Sequence, residues 1–213
     1  MATYDLEEQE QLAALKAWWG ENGSLITTVV SLALIGVAIW QGWNYYQRNQ
    51  AAQASNLYAV VQKAARANNL KEVRESAGVI LEDYPRTEYA AMAALVSAKA
   101  HFQAGDLKTA RAQLAWVTEH SSDDALRDIA RLRLASVMLD EKAYDDALKV
   151  LDAEHGAAFD ALFLAGKGDV LVAQGKKDDA RAAYKAALEK IGAKEDGLRG
   201  SIQLRLDALG TAQ

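Results

Sequence analysis

The sequence contains no cysteine, a single proline at Pro85 and three histidines in 213 residues. Without cysteine there is no disulfide framework and no thiol nucleophile. The compartment stays open, because cysteine-free chains occur on both sides of a membrane. His101, His120 and His155 show no pair at metal-ligand spacing on one helix face. The glycines stand at chain breaks, and none forms a loop that cradles phosphate. The acidic pairs Asp123–Asp124, Asp145–Asp146 and Asp178–Asp179 fall where helices are expected to start. The positive end of the helix dipole accounts for acids there without acid–base chemistry. No catalytic, metal or cofactor constellation emerges, so the chain is expected not to be an enzyme and to carry no cofactor.

What is present is helix-forming. Alanine and leucine dominate, with Lys, Glu, Gln and Arg between them, and 51% of residues are hydrophobic. These residues favour helices, and proline, the strongest helix breaker, is nearly missing. The expectation is an all-α protein. The net charge is −5, but it is concentrated at the N-terminus. There Asp5, Glu7, Glu8, Glu10 and Glu21 face Lys16 alone. The remainder is close to neutral, which leaves no electrostatic footprint for nucleic acid.

Residues 24–43 read SLITTVVSLALIGVAIWQGW and carry no charge. A helix of that length spans roughly 30 Å, the thickness of a bilayer's hydrocarbon core. Trp18 and Trp19 precede it, and Trp40, Trp43, Tyr45 and Tyr46 lie at its far end. Such amphipathic rings favour the headgroup level. The segment therefore reads as an uncleaved transmembrane helix in contact with the lipid bilayer, with these six aromatics at the interfaces. A core helix would be shorter or carry charge. A signal peptide wants a basic leader, and the one A-x-A site, Ala52-Gln53-Ala54, lies far beyond the apolar run. Before the span, residues 1–23 form an acidic tail. Leu12, Leu15 and Trp18–Trp19 suggest a short amphipathic helix over 12–19, while 1–11 reads equally as helix or as disordered tail. Glu21-Asn22-Gly23 is expected to break that helix, with Ser24 capping the next. Lys16 on one side and Arg48 on the other leave the orientation undecided by charge.

From Asn44 onward, helix follows helix with short breaks, and the first, 44–67, continues the membrane helix without a linker. Gly105-Asp106-Leu107-Lys108-Thr109-Ala110, Lys142-Ala143-Tyr144-Asp145-Asp146-Ala147 and Gly175-Lys176-Lys177-Asp178-Asp179-Ala180 share one frame. Their alanines are 37 and then 33 residues apart, and Val73 precedes Ala110 by another 37. A period near 34 with helix–turn–helix content is the tetratricopeptide (TPR) signature. Small residues, Ala98, Ala135 and Gly168, stand twelve positions before the alanines, and large ones, Leu114, Leu151 and Tyr184, four after. The repeats lack the pattern's tryptophan, and only the first has its helix-ending proline, so the domain 44–213 is TPR-like. Units are expected at 50–84, 88–120, 124–153 and 158–190, with a C-terminal capping helix over Leu198 to Leu209.

In such arrays the first helix of each hairpin lines a concave groove. The frame places Met92, Leu95, Lys99, Phe102 and Gln103 there, then Ile129, Leu132, Ser136, Leu139 and Asp140, then Leu162, Ala165, Asp169, Val172 and Ala173. The apolar members, Met92, Leu95, Phe102, Ile129, Leu132, Leu139, Leu162 and Val172, are the candidate partner-binding residues. The competing reading is that several are inter-repeat core or lie under the C-terminal helix.

Lys16, Trp18–Trp19 and Glu21-Asn22-Gly23 before the span, Gly42-Trp43 and Tyr45 at its end, and the order acidic tail, anchor, degenerate TPR-like domain together resemble the YfgM family. These are ancillary subunits of the bacterial SecYEG translocon. The resemblance implies a single-pass type II protein of the bacterial inner membrane, with a cytoplasmic N-terminus and a periplasmic helical domain. It implies association with SecYEG and with a membrane-anchored periplasmic chaperone of the PpiD type, and a part in passing unfolded secretory clients to periplasmic chaperones. The alternative is a membrane-tethered TPR adaptor for assembly of another envelope complex.

Overall fold

The computed structural model describes residues 2–192 and 195–210, with side chains from Glu8 onward, so Asp5 and Glu7 of the acidic tail lie outside its described side chains. Every regular element among the described residues is helical. In order they are α1 (Ala2–Arg66), α2 (Leu70–Asp83), α3 (Glu88–Gln103), α4 (Leu107–His120), α5 (Asp124–Asp140), α6 (Tyr144–Leu151), α7 (Asp160–Ala173), α8 (Lys177–Lys190) and α9 (Asp196–Ala208). A short 3-10 turn, Ala157–Phe159, leads into α7. The chain divides into two compact units, Met1–Asn49 and Gln50–Gln213, and α1 contributes residues to both.

In the first unit the expected break at Glu21-Asn22-Gly23 does not occur, and Ser24 caps nothing, because α1 runs through these positions. Helical partners replace the expected turn. The Asn22 side-chain amide donates to the Trp18 carbonyl at 3.0 Å, and the Thr27 and Thr28 hydroxyls donate to Gly23 and Ser24 carbonyls at 2.8 and 2.7 Å. Gly23 lies against the Trp19 indole, so closely that a Cβ there would sit 3.0 Å from Nε1. An interior glycine costs a helix only about 1 kcal/mol relative to alanine, too little to stop one flanked by good formers. α1 is the one helix among the described residues long and apolar enough to cross a membrane, and its apolar window is almost entirely unburied. That exposure is unlike a core helix.

The second unit is a row of helical hairpins. The last turns of α1 pair with α2, α3 with α4, α5 with α6 and α7 with α8. Ala54, Val61 and Ala64 of α1 pack with Val73, Ala77 and Ile80 of α2 and with Ala90 and Ala93 of α3. A central cluster joins α3 to α7 through Leu114, Val117, Leu134, Leu151 and Phe163. A third cluster gathers Tyr184, Ala187 and Ile191 around Ile202 of α9. Ile80, Leu151, Phe163 and Ile202 are fully buried, each contributing about 1.5–3 kcal/mol by removal from water. Val73, Ala110, Ala147 and Ala180, the positions that set the repeat frame, have no exposed surface.

The same turn closes each hairpin. The N–H groups of Asn69, Asp106, Ala143 and Lys176 donate to the carbonyls of Ala64, His101, Met138 and Leu171 at 2.8–2.9 Å. This six-to-one bond requires a left-handed residue just before the donor. Asn68, Gly105, Lys142 and Gly175 supply it, with φ between 54° and 79°. The remaining positive-φ residue among those described is Gly210, at the end of α9. Its spacing from Gly175, 35 residues, puts α9 in the place of a first helix in a fifth unit. Where earlier hairpins hold Ala98, Ala135 or Gly168, seven residues before the turn, α9 presents Gln203. A polar, bulky residue there suits a face that water covers rather than a second helix.

Arginines tie the units together on the opposite helices. Arg74, Arg111 and Arg181 each follow a frame residue. Arg74 pairs with Asp106 at 3.2 Å, Arg111 with Glu141 at 2.9 Å, and Arg181 donates to the Gly210 carbonyl at 3.1 Å. Each reaches the turn of the next first helix.

Candidate interaction surface

The first helices, α3, α5 and α7, place the sequence-derived candidates in three environments. Phe102, Leu162 and Val172 are exposed, at 38%, 36% and 39%. Met92, Ile129, Leu132 and Leu139 are half-buried, the last three against the central cluster. Leu95 is core, 7% exposed within that cluster, and is corrected from a surface candidate to a packing residue. The reason is that α3 packs on α5 as well as on α4, and the inter-repeat contact claims Leu95. At the C-terminal end α9 takes over two further groove positions. Ala165 is buried in the cluster around Ile202. Asp169 accepts from the Tyr184 hydroxyl at 2.8 Å and pairs with Arg205 of α9 at 2.7 Å. Burial and the Asp169 carboxylate together push the Tyr184 hydroxyl well above the usual phenol range. The candidates therefore do not form one continuous apolar strip.

Two hollows lie toward the N-terminal end of the array. One hollow of about 700 Å3 opens between α1 and α3, lined by Gln62, Arg66, Asn68, Val96, Lys99 and Gln103 among others. A second, of about 300 Å3, opens between α3 and α5. Phe102 and Leu114 line it with Val137, and Lys99 and Arg133 stand at it. Arg66 and Arg133 were missed by the repeat frame, which ranked positions by apolarity. A partial signal for them exists in the sequence, shared with Lys63, Lys108 and Lys177. Neither arginine has an acid three or four residues away, whereas Arg127, Arg131, Lys149 and Arg181 each pair with an aspartate at that spacing.

The buried His101 and Asp128 are tied to turns. His101 is fully buried, with Nδ1 2.9 Å from Asp106 Oδ2. Asp106 also accepts from the Thr109 N–H at 3.1 Å. Bonds from Thr109, then the contact with His101, hold its carboxyl below the usual range. Asp128, also buried, accepts from the Gly156 N–H and from Arg131, both at 2.9 Å, and so fixes the link into α7. His155 stacks on Phe163, ring centroids 3.9 Å apart. No group of three metal-ligating side chains gathers among the described residues.

The aromatics of the first unit that the sequence places at membrane interfaces, Trp18, Trp19, Trp40, Trp43, Tyr45 and Tyr46, are all exposed by half or more, and Trp43 and Tyr46 lie with ring centroids 6.1 Å apart.

A family profile described as a tetratricopeptide repeat-like domain matches residues 16–211, which include both the apolar helix and the hairpins. A protein of Neisseria gonorrhoeae named ancillary SecYEG translocon subunit is 34% identical over 96% of this chain and 98% of its own length. The chain belongs to the ancillary SecYEG translocon subunit family. A relative of that name from Aggregatibacter actinomycetemcomitans is 33% identical, over 97% of this chain and 99% of its own. One from Escherichia coli is 30% identical, over 85% and 87%. A translocon subunit built on a TPR-like array is not an enzyme class.

Proposed function

We propose that the chain is a membrane-anchored scaffold at the SecYEG translocon whose helical array binds other proteins and which catalyses no reaction. The observation that carries this reading is the near-full-length similarity to translocon subunits, spanning apolar helix and array alike. Residues 24–43 form the single span, preceded by the acidic tail 1–23 and followed by the interaction domain 44–213. The exposed apolar window and the aromatics at its ends support the span. By family resemblance the N-terminus lies in the cytoplasm and the array in the periplasm. There the array links the translocon to a membrane-anchored chaperone of the PpiD type and assists the passage of secreted clients.

Affinity capture of the tagged full chain from membranes in mild detergent tests this. SecYEG and a membrane-anchored periplasmic chaperone should co-elute. Capture of a lipoprotein or outer-membrane assembly machine without SecYEG would instead favour a tethered adaptor for another envelope complex and overturn the proposal.

A further inference from the structure

The two hollows at the N-terminal end of the array share Lys99. Arg66 flanks it on α1 and Arg133 on α5. None of the three has an ion-pair or hydrogen-bond partner among the described residues, and no carboxylate lines either hollow. Arg74, Arg111, Arg131, Lys167, Arg181 and Arg205 pair with acids; Lys63, Lys108 and Lys177 are unpaired as well, but they line neither hollow. The array is close to neutral overall, so three unpaired cations lining adjoining hollows make a local excess of positive charge. Between Lys99 and Arg133 the surface is apolar, with Phe102 exposed beside buried Leu114 and Val137.

We infer that this face binds an extended acidic segment of a partner protein, seating one large apolar side chain against Phe102 between carboxylates held by Lys99 and Arg133. Arg66 takes a further carboxylate beyond Lys99, and the Gln62, Asn68 and Gln103 side chains supply neutral hydrogen-bonding groups to the backbone between. Charge complementarity selects the sign of the partner and sets its on-rate, while the aromatic contact anchors it. An anionic bilayer offers the same charge. It is flat, however, and cannot reach Leu114 and Val137 at the floor of a hollow. This inference rests on reading the array as an interaction surface, but it does not depend on which complex holds the anchor.

The test uses purified full-length chain in neutral detergent and a fluorescein-labelled peptide in which Glu alternates with Leu. A matched peptide carries Gln in place of Glu. Anisotropy titration should show the Glu peptide binding at least about tenfold more tightly, with affinity falling as salt screens the contacts. Lys99→Glu and Arg133→Glu should each weaken it about tenfold, Lys99→Gln should weaken it less, and Lys177→Glu on α8 should leave it unchanged. Phe102→Ala should weaken both peptides. Circular dichroism checks that each variant keeps its helix content, and the exposed positions chosen make that the expected result. Equal binding of the Glu and Gln peptides would overturn the inference, as would charge reversals at Lys99 and Arg133 without effect. Capture of phosphatidylglycerol vesicles with no peptide binding would also overturn it. The capture experiment on SecYEG reads a different contact, so the two proposals fail separately.

Discussion

Lys142 shows how a single position carries the repeat frame. It occupies the left-handed turn that glycine fills at Gly105 and Gly175, with φ 61°. A side chain there costs about 1–2 kcal/mol, partly offset because glycine loses more freedom on folding, about 0.5–1 kcal/mol. Lys142→Gly should therefore stabilise the array by about 0.5–1 kcal/mol, read as a raised urea midpoint of the full chain in detergent. An unchanged or lowered midpoint would mean the turn is not strained. The need for a turn was legible at this scale, because Lys142-Ala143 aligns with Gly105-Asp106. Its residue-level chemistry was legible only in part. A cation without an acid at helical spacing, as at Lys99 and Arg133, is visible in the sequence, but its place at a hollow is not.

Within the hairpins, small and large residues exchange volume. Ala98 faces Leu114 and Ala135 faces Leu151 in the frame, and in the fourth hairpin the small partner shrinks to Gly168 as the large one grows to Tyr184. A Cβ at Gly168 would lie 2.4 Å from the Tyr184 ring. Gly168→Ala should overpack the site by ~1–3 kcal/mol. In a Tyr184→Leu background the same change should cost little, because the ring atoms that clash are gone. Thermal unfolding of the four members of this cycle checks it, and additive effects would contradict the packing account. These pairs could be read from spacing because the close approach of two helices restricts residue size at fixed intervals. The faces of the first helices could not. Leu95 and Phe102 both fit an apolar stripe, and only the packing of α3 on α5 separates the buried one from the exposed one. Nor could the continuity of α1 through Gly23 be read, because side-chain bonds to backbone carbonyls and the Trp19 contact replace the break that Asn22-Gly23 suggests.

For the whole molecule, two features were legible early. One is an uncharged apolar run flanked by aromatics, and the other is a period near 34 residues in all-α sequence. Both are long, and a pattern repeated over many residues averages out local exceptions. The fifth first-helix position taken by α9 was read only as a cap, since Gln203 departs from the small-residue rule and the turn at Gly210 emerges from its φ. The arrangement supports one account, in which a single apolar helix anchors an interaction array. The absence of cysteine makes the direct test clean. Single cysteines at Glu8 and Lys185, in otherwise native full-length chain, are challenged with a membrane-impermeant maleimide in cells whose outer membrane has been permeabilised. The account predicts that Lys185→Cys is labelled at once and Glu8→Cys only after the inner membrane is opened. Labelling of both positions from the same side, or a mature chain that begins after Ala54, would contradict it.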